Sequence, residues 1–129
     1  MNEFMKMDYD ASDQIITITK SGLATVSDII ETINETVSFG DKKNCYNFLF
    51  NVQNTIETGS FNELYEFHKN LTQVTNLTHE HRCAVIFSPE ANKSRTQFYE
   101  TISFNWGQGI FKVFFQLEEG RTWLKLNKI

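Results

Sequence analysis

Tyr46 to Leu64 reads YNFLFNVQNTIETGSFNEL, and the way this stretch folds decides the rest of the chain. Tyr46 to Val52 carries the aromatic and aliphatic residues of a strand. Ser60-Phe61-Asn62-Glu63 is a helix start, because a serine followed three residues later by a glutamate forms a capping box. Strand, polar loop and helix in that order open a parallel α/β crossover. In such sheets ligands and partners meet the chain at the carboxyl ends of the strands. The loop of Gln53, Asn54, Thr55, Ile56, Glu57, Thr58, Gly59 and Ser60 is therefore the expected partner-binding surface.

Upstream, Phe4 to Tyr9 and Ile15 to Lys20 alternate on either side of the turn-rich Asp10-Ala-Ser-Asp13, which predicts a β-hairpin. Gly22 is expected to break its second strand. Thr25 to Asp28 supplies a capped helix start, with Val26, Ile29, Ile30, Ile33 and Val37 on one stripe and Gly40 as the stop. Downstream, Phe61, Leu64, Phe67, Leu71 and Val74 form the inward stripe of a second helix. Cys83 to Ser88 is a strand ended by Pro89, and Ser94 to Trp106 returns to helical spacing. Ile110 to Gln116 is the last strand, and Leu117 to Leu126 a closing helix whose first turn Gly120 weakens.

The order β-β-α-β-α-β-α-β-α predicts an α/β domain spanning residues 1–129. Right-handed crossovers make its five-stranded sheet mixed but mostly parallel, flanked by four helices. Strand alternation gathers Ile16, Ile18, Phe48, Phe50, Val85, Phe87, Phe111, Val113 and Phe115 onto one core face. The other face is mixed. A sheet of five strands at ~4.8 Å spacing has room for only two or three helices ~9–10 Å apart on one side. Either a helix covers the mixed face, or a second subunit does, as a homodimer through Leu49, Ile86 and Phe114.

Composition narrows the function classes. A chain of 129 residues with 40% hydrophobic residues is long and apolar enough to bury a core. No apolar run approaches the ~20 residues of a spanning helix, and Glu3, Asp8 and Asp10 interrupt the N-terminus, so a cytoplasmic location is expected. The formal net charge of −4, with no basic stripe, points away from nucleic acid. Cys45 and Cys83 are expected as buried or half-buried free thiols.

The strand ends Lys20-Ser21, Asn51-Val52, Phe87-Ser88 and Phe115-Gln116 offer no carboxylate for acid/base work, and no glycine-rich phosphate loop occurs. His79 and His81 have a spacing that can share a metal, but a connecting loop without a third ligand reads as solvated. No metal or cofactor is expected. His68 sits beside the inward stripe as an edge histidine. Ser60 has two readings: a helix cap, or a regulatory phosphoserine whose added charge the helix N-terminus would accept. The aromatics of the last third also have two. Phe98, Tyr99, Ile102, Trp106 and Phe114 either line a pocket for an apolar ligand or pack as core.

In element order, from the hairpin Met5 to Lys20 to the tail Glu119-Gly-Arg-Thr-Trp-Leu124, the chain resembles the STAS superfamily, the anti-sigma-factor-antagonist fold. It is closer to the variant grouped with the lipid-binding CRAL-TRIO fold. Laid on the phosphoregulated pattern, Asn51 stands at the strand-end Asp, Gly59 at the loop Asp, and Ser60 at the phosphorylated serine. The resemblance implies a non-enzymatic regulatory module that binds a protein partner, or alternatively a carrier or sensor of a small apolar, lipid-like ligand.

Overall fold

Asp10 turns the chain at its first corner. Its carboxylate accepts from the backbone N–H groups of Ser12 (2.9 Å) and Asp13 (3.2 Å), an Asx turn. Gln14 follows at φ 55°. This turn joins β1 (Phe4–Asp10) to β2 (Ile15–Ala24) as an antiparallel pair. The computed structural model describes residues 4–88, 97, 101 and 110–126. After β2 come α1 (Val26–Lys43), β3 (Asn47–Glu57), α2 (Phe61–Lys69), α3 (Leu71–Val74), β4 (Arg82–Ile86), β5 (Phe111–Phe114) and α4 (Leu117–Leu126).

The sheet order is β1-β2-β3-β4-β5, with β2 to β5 parallel. This is the mixed, mostly parallel sheet that the element order predicts. Register aligns two apolar rows across four strands, Ile16-Phe48-Cys83-Phe111 and Ile18-Phe50-Val85-Val113. Right-handed crossovers place α1 and α2 on this face. There Val26, Ile29, Ile30 and Ile33 of α1 pack with Phe67 and Leu71 over the rows. Cys45 and Cys83 are buried free thiols, and burial pushes the Cys83 thiol far up from its usual range.

The opposite face is covered from within the chain. Leu124 of α4 is fully buried among Ile15, Leu49, Ala84 and Ile86, and Trp123 packs against Phe114 with ring centroids 5.8 Å apart. Gly120 makes this contact close: a Cβ there would stand 2.5 Å from Ile86 Cδ1 and 3.2 Å from the Ala84 Cβ. The homodimer patch expected at Leu49, Ile86 and Phe114 is thus corrected, because α4 occupies that surface. Arg121 fastens the helix to the far corner, with Nη1 3.3 Å from Asp13 and 3.5 Å from Asp10, and Nη2 3.5 Å from Thr17 Oγ1.

Several boundaries differ from the sequence expectation. Gly22, at φ 99°, lies inside β2 and does not end it. Gly40 lies inside α1, where a Cβ would meet the Cys45 carbonyl at 2.5 Å; the helix ends instead on left-handed Asn44. The second predicted helix divides at Asn70 into α2 and α3, and Phe61 and Val74 of its expected inward stripe are exposed. The predicted helix Ser94 to Trp106 lies outside the described residues except for Gln97 and Thr101, which are helical; the Thr101 hydroxyl donates to the Gln97 carbonyl at 3.0 Å. Among the described residues no helix is long and apolar enough to cross a membrane.

Candidate functional site

The segment expected as a loop is mostly strand. Among the described residues, β3 pairs with β4 as far as Asn51 and Ile86, and β2 pairs with β1 as far as Ser21 and Phe4. Beyond those points Gly22–Ala24 and Thr55–Glu57 continue to pair with each other, among the described residues, as a parallel ribbon. Gln53 to Glu57 are corrected from loop to strand, and only Thr58, Gly59 and Ser60 connect to α2.

A bulge sets which way the ribbon faces. Thr19 pairs with Asn51, but Ser21 pairs with Asn54, so β3 holds one residue more than β2 between these points. The Asn51 side chain accepts from the Gln53 N–H at 3.2 Å within the bulge, and the Thr55 hydroxyl donates to the Lys20 carbonyl at 2.9 Å beside it. Side chains alternate along a strand, so an extra residue reverses parity. Before the bulge Phe48, Phe50 and Val52 face the helices; after it Thr55 and Glu57 do.

The reversal brings Leu23 and Ile56, register partners, together on the ribbon's outer surface, 49% and 54% exposed. The Thr58 N–H donates to the Ala24 carbonyl at 3.0 Å, which ties the end of β3 to β2. Ser60 then caps α2: its hydroxyl accepts from the Glu63 N–H at 3.1 Å, and its own N–H donates to Glu63 Oε1 at 3.4 Å. Phe61, next along, is 46% exposed. The rim therefore carries three exposed apolar side chains around a capped helix start. Leu23 was hidden from the sequence reading because Gly22 marks a strand end there; the signal lies in register, not in local pattern.

Behind the ribbon is a cavity of about 100 Å³ between the core face and the helices. Phe50, Phe67, Phe87 and Phe111 line its body, and Lys20, Thr55 and Glu57 line it from the ribbon end. His68 of α2 also lines it, its ring 5.1 Å from that of Phe111 and 4.8 Å from that of Phe67. Burial drives the His68 pKa down to about 3, so the imidazole is neutral at physiological pH. Of the pocket expected from sequence, Phe98, Tyr99, Ile102 and Trp106 lie outside the described residues. Phe114 belongs to the opposite face, against Trp123.

Of the histidine pair at the other end of the sheet, His79 is exposed, as expected of a solvated loop, whereas His81 is not. His81 is buried, with its ring stacked at 5.4 Å from Phe48, and its Nδ1 accepts from the Thr78 N–H at 2.9 Å. Burial lowers its pKa, against smaller opposing effects of the Asp41 and Glu80 charges. Among the described residues no cluster of three His, Cys, Asp or Glu side chains is placed to hold a metal.

No protein-family model matches the chain, and no curated protein sequence matches it. Among solved structures it is similar to an uncharacterized protein of the DUF3478 family, with a SpoIIAA-like fold, from Shewanella loihica PV-4. The TM-score is 0.55 at 14% identity, over 95% of this chain and 93% of that one. With the sheet order and helix placement above, the likeness shows that this chain has a SpoIIAA-like fold, the fold of STAS domains and anti-sigma-factor antagonists.

Proposed function

We propose that the chain is a non-enzymatic regulatory module that binds a protein partner through the rim formed by the ribbon and the start of α2. The observation that carries this reading is the exposed register pair Leu23 and Ile56 at the carboxyl end of parallel strands, followed in sequence by exposed Phe61. Apolar side chains grouped at a rim and bordered by polar residues, here Asn54, Thr58 and Ser60, have the composition of a contact surface.

Ser60 offers a way to regulate such a contact. Aspartate caps a helix about as well as serine, so Ser60→Asp adds charge at the rim while leaving α2 intact. The test begins with a photo-crosslinking residue placed at Ile56, and at Leu126 on α4 as control, in the cells that make the protein. An adduct specific to position 56 identifies the partner. Titration calorimetry with that purified partner should then show a loss of about tenfold or more for Ile56→Asp and a smaller loss for Ser60→Asp. Equal adducts at both positions, or unchanged affinity of the Ile56→Asp protein, would overturn the reading.

A further inference from the structure

The ribbon has a second surface, and it faces the cavity rather than the rim. Three properties of that cavity define what fits it. The first is size: about 100 Å³ is the scale of an engineered cavity of ~150 Å³ that takes up benzene, and well below the ~300–1,000 Å³ of sites for drug-sized ligands. An acyl chain is too large. The second is the wall, where four phenylalanine rings and the His68 imidazole surround the space. Aromatic guests gain from offset and edge-to-face contact with such walls beyond what area burial alone provides. The third is charge. Among the described residues of the lining, the charged ones are Lys20 and Glu57, one of each sign, and both stand at the ribbon end. Their charges balance, and an ion pushed into the apolar body beyond them would lose its hydration without a dedicated counter-charge.

We infer that this cavity is a binding site for a small uncharged aromatic molecule of one ring or two fused rings, seated between Phe50, Phe67, Phe111 and His68 under α1 and α2. The site is separate from the rim: Leu23 and Ile56 point away from it, so it stands or falls independently of the partner-binding reading. Neutral His68 suits the same guest, since an imidazolium in that wall would favour an anion.

The experiment is methyl-resolved NMR of the full chain titrated with toluene, indole and decanoate. Saturable shifts of the Val85 and Val113 methyls by toluene or indole, with ligand-to-methyl NOEs, are expected, while decanoate binds at least about tenfold more weakly. Val85→Phe fills the space and should lower affinity for the ring compounds by about tenfold or more. Should that protein melt below the wild type, Val113→Phe carries the same comparison. Ile56→Asp, on the outer surface, should leave ring binding unchanged. Absence of saturable shifts up to the solubility of both ring compounds would overturn the inference. So would shifts confined to the α4 face at Leu124 and Ile86, or tighter binding of decanoate.

Discussion

At the scale of single residues, His68 and Gly120 show how burial sets behaviour. The folded pKa of His68, about 3, is below the ordinary histidine value near 6.5, so between these values the unfolded chain binds the proton that the folded chain excludes. Stability from this group is complete above about pH 6.5 and is lost as pH falls toward 3, with a limiting slope of ~1.4 kcal/mol per pH unit. Buried His81 acts in the same direction. Urea unfolding from pH 7 to 4 should therefore show falling stability, and His68→Phe should flatten that fall; an unchanged slope would mean that the ring is hydrated in the folded state. Gly120→Val would drive a side chain into Ile86 and Ala84, and should cost about 1–3 kcal/mol by chemical denaturation.

At the scale of elements, the bulge in β3 and the seat of α4 are the two decisive features. Deleting Gln53 removes the extra residue between the Asn51 and Asn54 pairings, so the two strands can pair without a bulge while Thr55 and Glu57 stay inward and Ile56 outward. The deletion should therefore keep the Thr58 amide, which donates to Ala24, in slow exchange. Lost protection there would show that the bulge itself is needed to hold the two strands together. Truncating Leu124 to alanine should cost about 2–5 kcal/mol, because the residue is fully buried. Arg121→Ala should cost only about 0.5–1 kcal/mol, since its partners Asp10 and Asp13 are partly exposed. The same ranking by urea titration would show that α4 is held by packing, with the ion pairs setting its orientation.

At the scale of the whole molecule, the two faces of the sheet are closed by different means. The core face is covered by crossover helices that the topology requires, whereas among the described residues the other is covered by α4. A chain ending at Gln116 would uncover Leu49, Ala84 and Ile86, an apolar patch continuous with Ile15. Light scattering should show self-association of that truncated chain, and 8-anilinonaphthalene-1-sulfonate should bind it; a monodisperse truncation product would mean that the patch is covered by something other than α4.

Most of the architecture was legible because it rests on local chemistry. Alternation of Ile16/Ile18, Phe48/Phe50 and Phe111/Val113 specifies one buried face, the capping boxes at Thr25 and Ser60 specify helix starts, and element order with right-handed crossovers specifies the parallel sheet. The candidate site was legible only in position, at the carboxyl end of β3. Its composition was not, because a bulge is a property of two strands paired with each other and leaves no periodic signal in either one. Leu23 became part of the rim through pairing with Ile56. His68 became a cavity wall through packing on Phe111. Gly40 and Gly120, which read as breakers, turned out to be places where another element comes too close for a Cβ. Sequence pattern determines which face of each element avoids water; tertiary structure alone decides which faces meet, because that depends on register and close approach between residues far apart in the chain.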